Sequence, residues 1–123
     1  MQHITAVRTV AIPVADQDRA LEFYERKLGF EKLMDAPLPQ LGGRWLVVGL
    51  PGGTTSVALL QASETTAVGI DTGIRFATTD APAAHAALTE QGVETSELIS
   101  WPGVPPMFTF TDQDGNRLYL TQE

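Results

Sequence analysis

Apolar and polar residues alternate in two stretches of this chain that carry nearly the same text. Val10, Ile12 and Val14 alternate with Thr9, Ala11 and Pro13, the two-residue period of a strand with one buried face, and Pro13 predicts a place near a sheet edge. The period then becomes helical. Asp16 is suited to cap free backbone N–H groups, Ala20, Leu21, Phe23, Tyr24 and Leu28 fall on one face, and Gly29 suits a left-handed stop. The same grammar returns with Ile74, Phe76 and Thr78 against Gly73, Arg75 and Ala77. Asp80 follows as cap, Pro82 in the first turn, Ala83, Ala84, Ala87 and Leu88 as the apolar face, and Gly92 as the stop. The capping aspartates lie 64 residues apart and the closing glycines 63.

After each helix the text turns strand-like, at Phe30–Asp35, Arg44–Leu50 and Ser56–Gln61, then at Val93–Ile99, Met107–Thr111 and Asn116–Thr121. Pro51-Gly52-Gly53 and Asp114-Gly115-Asn116 are hairpin signals in which glycine supplies positive φ. The connections Ala36–Gly43 and Ser100–Pro106 are rich in Pro and Gly and fall at equivalent places. Each half reads β-α-β-β-β. The pattern predicts one domain over 1–123, with module one at about 1–62, module two at about 72–123 and Ala62–Asp71 as the join. A chain of two matching halves is expected to place its ligand where they meet.

Composition narrows the function classes. With 123 residues the chain is about one domain long and buries roughly two thirds of its unfolded surface. No apolar run approaches the ~20 residues of a membrane helix, and no basic-then-apolar leader opens the chain, so a soluble, cytoplasmic protein with no membrane partner is expected. The sequence holds no cysteine, which removes thiolate nucleophiles and sulfur ligands. A net charge of −7 repels phosphate backbones, so no nucleic-acid partner is expected.

Three motifs in order, Ile12-Pro13-Val14-Ala15-Asp16, Phe23-Tyr24 with Leu28-Gly29-Phe30, and Phe110-Thr111-Asp112-Gln113-Asp114-Gly115-Asn116, span almost the whole chain. Together they resemble the vicinal oxygen chelate superfamily, the glyoxalase, bleomycin-resistance and extradiol-dioxygenase group. The resemblance implies an α+β fold in which two βαβββ modules form a curled mixed sheet cup with helices outside, often completed by a second subunit. A homodimer is therefore expected. In metal-dependent members the first and last strand of each module supply a ligand, and the matching positions here are Thr9, Gly73, a residue near Leu59 (or Gln61 on the same strand face) and Tyr119. Carboxylates and imidazoles are missing from that set, so the resemblance implies a site without metal and no cofactor. His3 and His85 are expected on the solvated surface.

Arg75 is the sharpest polar candidate, because a guanidinium in a cleft holds a carboxylate or phosphate through two parallel hydrogen bonds. Pairing with an acid on a neighbouring strand would explain it equally well. Tyr119 offers a phenol, and Arg117 and Thr121 share its strand face by alternation. Trp45, Met34, Met107 and Phe108 suit the border of a cavity for an organic ligand, and Trp101 on its Pro/Gly loop suits a rim. Asp112 and Asp114 flank a turn and are expected to cap backbone groups. The expected ligand-binding cavity thus draws on Thr9, Trp45, Leu59, Gln61, Gly73, Arg75, Trp101, Met107 and Tyr119, with no catalytic residue named. The leading expectation is a metal-free protein binding a small neutral or anionic, aromatic molecule. A glyoxalase- or dioxygenase-type enzyme, a metal-independent enzyme using Arg75 and Tyr119, and a dimeric regulatory or scaffold module stay open.

Overall fold

The structure is a computed structural model and describes residues 3–123. Its order is β1 (Thr9–Val14), α1 (Gln17–Arg26), β2 (Glu31–Leu38), a 3-10 turn (Pro39–Leu41), β3 (Gly43–Gly49), β4 (Ser56–Gln61), β5 (Asp71–Thr78), α2 (Ala81–Glu90), β6 (Met107–Thr111) and β7 (Arg117–Gln122). The class is α+β. The strands form a four-stranded sheet in the order β1-β4-β3-β2 and a three-stranded sheet in the order β5-β7-β6, neither of them closed. The chain divides into two compact units, the first ending at Ala67 and the second being Val68–Glu123.

In each unit the first strand runs parallel to the last, and the last runs antiparallel to the one before it. β1 is an edge strand of its sheet, which tolerates Pro13. Asp16 Oδ1 accepts the N–H groups of Asp18 and Arg19 to start α1, and Asp80 Oδ1 accepts that of Ala83 to start α2. Gly29 and Gly92 follow the helices at φ +79° and +82°.

Helix α1 lays Ala20 and Tyr24 on β2, β3 and β4, and beneath it Ile12, Val14, Leu46, Val48 and Leu59 are fully buried. Tyr24 meets Phe23 and Phe30 edge-on. The first helical residue, Gln17, is buried and stitches two strands: its Nε2 donates to the carbonyls of Arg44 and Leu59, and its Oε1 accepts the Arg44 N–H. At the edge of this sheet the Arg44 guanidinium bridges Asp18 at 2.8 Å and Asp35 at 3.0 Å. That guanidinium, more than the nearby Lys32, holds the Asp35 carboxyl below the usual carboxylate range.

Three expectations are corrected here. First, Val93–Ile99 is not a regular strand. It touches β6 through isolated bridges at Thr95–Phe110 and Ile99–Met107. Ser96 interrupts the ladder, because its hydroxyl receives the Thr109 N–H while its carbonyl is taken by His85 Nε2 at 2.8 Å. Second, α2 buries Ala81 and Leu88 with Ala84 and His85 half-buried, whereas Ala83 and Ala87 are exposed, so the helix is rotated from the expected face. His85 is therefore not a solvated surface residue. Its ring stands edge-on to Phe108 at 4.9 Å, and Phe108, fully buried, belongs to the core rather than to a cavity border. Third, β2 runs on through Pro37 to Leu38, paired with β3, because an edge strand accommodates a proline. His3 is exposed.

Candidate ligand-binding face

Each sheet has one face turned toward its helix and one turned away, and strand alternation assigns residues to them. In the first sheet the pairs Ile12–Leu59 and Val14–Gln61 lie on the helix side, and Thr9–Ser56, Ala11–Ala58 and Pro13–Leu60 lie on the other. Trp45 and Val47 share that outer face through the pairing of Val47 with Ala58. Leu59 therefore faces the helix and is fully buried. Ser56, Ala58 and Leu60 share the face of Thr9, and the expected positions of Leu59 and Gln61 are corrected to the opposite side.

Gln61 acts instead as a clasp, its Nε2 donating to the Ala15 carbonyl just before α1. Its counterpart Gln122, last in β7, accepts the Ala81 N–H at the start of α2. Gln61 also borders, with Gln40, Leu41, Leu60, Ser63 and Thr66, an open groove of about 500 Å³ in the first unit. Thr9 Oγ1 lies 2.8 Å from Ser56 Oγ, so its hydroxyl is engaged across the pair. Trp45 is half-buried opposite Ala36, and Met34 is exposed on the same face.

The outer face of the second sheet differs in chemistry. Arg75, Ala77, Met107, Thr109, Thr111, Arg117, Tyr119 and Thr121 all lie on it. The helix side holds Phe76, Phe108, Phe110 and Leu118, with Phe110 between the other two rings. β5 enters this sheet through a bulge: Asp71 pairs with Arg117 and Arg75 with Tyr119, so four residues of β5 oppose two of β7. The loop is stitched internally. Asp71 Oδ1 accepts the Gly73 N–H, Thr72 Oγ1 accepts the Ile74 N–H, and the Thr72 hydroxyl donates to the Arg117 carbonyl. Gly73 sits at φ +69°, where a side chain would be strained although nothing lies within 4 Å of a Cβ placed there.

The bulge gathers a polar cluster. The Arg75 guanidinium lies 4.2 Å from the centroid of the Tyr119 ring, and its Nη1 donates to the Gly73 carbonyl at 2.8 Å. Tyr119 donates its phenolic proton to Asp71 Oδ2 at 2.8 Å, and Arg117 Nη1 stands 3.8 Å from the same oxygen. The Tyr119 hydrogen bond, seconded by the Gly73 N–H, holds the Asp71 carboxyl below the usual carboxylate range. The geometry of Arg75 is that of a cation stacked on an aromatic ring rather than one paired with an acid on a neighbouring strand, which leaves Nε and Nη2 to other partners. Beside Arg117, an open depression of about 160 Å³ is lined by Glu94, Thr95, Ser96, Thr109 and Thr111.

Of the residues expected at a site, Gly73, Arg75 and Tyr119 are brought together with Arg117. Met107 lies on the same face two strands away, and Trp101 stands 65% exposed on a turn closed by the Val104 N–H to its carbonyl. Thr9, Trp45, Leu59 and Gln61 belong to the first unit. Asp71 was absent from the expected site, having been placed in the join between the halves. The signal was the run Asp71-Thr72-Gly73, a side-chain-capped turn ending in a strand glycine. Asp112 caps the hairpin as expected, its Oδ1 accepting the N–H groups of Asp114 and Asn116. Asn116, fully buried, in turn accepts the N–H groups of Gly69 and Ile70 and so fixes the entry to the bulge.

The side chains at the four positions that the resemblance matched to metal ligands are a threonine bound to Ser56, the fully buried Leu59, a glycine and a phenol bound to Asp71. That set does not fit a divalent cation. Among the described residues no group of three or more His, Asp or Glu side chains is placed to hold one. No helix is long and apolar enough to cross a membrane among the described residues.

Comparison with known proteins agrees with this architecture. TnmS3, an antibiotic binding protein from Streptomyces sp. CB03234, superposes with a TM-score of 0.88 at 34% identity, covering 99% of this chain and 98% of its own. A superfamily member from Sphaerobacter thermophilus DSM 20745 gives 0.87 at 36% identity, with 99% and 100% covered. The uncharacterized protein YurT of Bacillus subtilis (strain 168) is 30% identical over 92% of this chain and 95% of its own. The family model of the Glyoxalase/Bleomycin resistance protein/Dioxygenase superfamily matches residues 2–120, and the chain belongs to that superfamily.

Proposed function

We propose that this protein binds a small aromatic molecule, neutral or anionic, on the outer face of the second sheet and holds it without a metal. The observation that carries the reading is the Arg75–Tyr119 stack beside Arg117, an exposed pair of guanidiniums in a chain of net charge −7. A flat ring extends such a stack, and the unused guanidinium N–H groups receive a carboxylate or carbonyl from it. The four side chains at the metal positions support a site that works by shape and hydrogen bonding. The similarity to an antibiotic binding protein supports holding over turnover. A homodimer completes the reading, and light scattering that returned a monomer mass would remove that part alone.

A thermal-shift screen of aromatic acids, phenols and quinones tests the reading. A compound at one hundred times its dissociation constant stabilises the fold by about 2.7 kcal/mol, and in Arg75→Ala the same concentration is expected to give about half of that. A flat response to every aromatic compound would refute it.

A further inference from the structure

The reading above leaves open which aromatic molecules are admitted, and the bulge at the start of β5 bears on that. A phenol both donates and accepts, so its role toward a ligand depends on where its proton is held. Here the proton is committed: Tyr119 donates to Asp71 Oδ2 at 2.8 Å. Asp71 is itself positioned, because its other oxygen accepts the Gly73 N–H inside the bulge. An ionised carboxylate accepts only, so the pair has one polarity, and toward any other partner the phenolic oxygen can only accept. Beside that acceptor stand the free Nε and Nη2 donors of Arg75, whose Cζ is 4.2 Å from the ring centroid.

We propose that Asp71 is the positioning residue that sets specificity here: by holding the Tyr119 proton it makes the site select aromatic ligands carrying a hydroxyl donor as well as a carboxylate or carbonyl. The hydroxyl donates to the Tyr119 oxygen while the acceptor group takes the Arg75 N–H groups. Methylating the hydroxyl removes the donor and leaves the phenol oxygen without a partner in the complex, a loss of about tenfold or more in affinity. The inference rests on the ligand-binding reading and narrows it.

The test titrates the full chain with 4-hydroxy-2-naphthoate and 4-methoxy-2-naphthoate, followed by calorimetry. Wild type is expected to prefer the hydroxyl compound by about tenfold. Asp71→Asn, whose amide offers a donor as well as an acceptor, is expected to lose most of the preference while still binding the naphthoate ring. Tyr119→Phe is expected to lose it too, which keeps the test decisive should Asp71→Asn fold poorly. A merely structural role for Asp71 would weaken both compounds alike. Equal binding by wild type, or an undiminished preference in Asp71→Asn, overturns the inference and leaves the ligand-binding reading intact. The same holds if other aromatic acids bind and these two do not. If no aromatic acid binds at all, the underlying reading fails and this inference with it.

Discussion

The two sheets are built by one grammar and end in opposite chemistry. The outer face of the first carries Ala11, Pro13, Trp45, Val47, Ala58 and Leu60, with Thr9 and Ser56 hydroxyls closed on each other. The outer face of the second carries two arginines, a tyrosine and three threonines. The order of three strands, the capping aspartates and even the terminal clasps Gln61 and Gln122 are shared. Backbone pairing is thus insensitive to the outward residues, which left them free to diverge. Module two also gained a bulge where module one continues as a plain strand, and the bulge is what brings Asp71 to Tyr119.

The largest effects should come from the buried amides that each half uses differently. In the first half Gln17→Ala strands the Arg44 N–H and the Arg44 and Leu59 carbonyls, a loss of about 2–4 kcal/mol by urea unfolding. In the second, Asn116→Ala strands the Gly69 and Ile70 N–H groups for a similar loss, and it also loosens the bulge. Only the second is expected to weaken naphthoate binding at temperatures where both variants are folded. Equal weakening by both would break the functional division between the faces.

A smaller effect separates the two halves at equivalent positions. Thr9 and Gly73 correspond in the repeat, yet Gly73 is left-handed at φ +69°. Gly73→Thr is expected to cost about 1–2 kcal/mol from the backbone alone, because the left-handed region is unfavourable to a residue with a Cβ. Thr9→Gly should cost about 0.5–1 kcal/mol for chain freedom, with some loss from the Ser56 hydroxyl pair. A Gly73→Thr variant as stable as wild type would mean that the bulge is not held in this conformation.

How much of this was readable beforehand follows from where side-chain pattern and backbone pattern agree. The capped helices were legible, since Asp16, Asp80, Gly29 and Gly92 mark ends that the chain then obeys. The face of β4 was not. Its run Val57-Ala58-Leu59-Leu60 is apolar throughout, so alternation cannot distinguish the two sides, and Leu59 was expected on the face opposite to the one it occupies. The rotation of α2 was hidden in the same way, because Ala81, Ala83, Ala84, Ala86 and Ala87 point around the whole helix and give no stripe. Asp71 escaped because a bulge breaks the two-residue period that identifies a strand, although Asp71-Thr72-Gly73 announced one.

Ligand binding sharpens the comparison at about the same energy. Arg75→Ala is expected to weaken 4-hydroxy-2-naphthoate by about tenfold, the size of one charge-assisted contact. Thr9→Val, on the outer face of the first sheet, is expected to leave the affinity within about twofold, since its hydroxyl is already satisfied by Ser56 and the substitution conserves shape. Calorimetry on the two variants decides between the faces. A tenfold loss from Thr9→Val would draw the first sheet into the site.

Acid stability should show the smallest difference. Asp35, beside Arg44, and Asp71, beside Tyr119, both have carboxyls lowered from the ordinary value of 3.8. A depressed folded-state pKa means that the unfolded chain binds the proton more readily. The stabilisation is therefore complete above about pH 4 and is lost as pH falls through the folded-state value. Both groups are solvent-exposed, so each contribution is modest and screened. The causes differ, however. Asp35 is held by a cation, and adding salt should flatten its share of the acid limb. Asp71 is held first by a neutral phenol and a backbone N–H, and its share should survive salt. Urea midpoints of Asp35→Asn and Asp71→Asn between pH 3 and 6, at low and high ionic strength, read this directly. If the Asp71→Asn difference collapsed with salt as far as the Asp35→Asn difference, the arginines rather than Tyr119 would be holding Asp71, and the phenol's proton would no longer be committed to it.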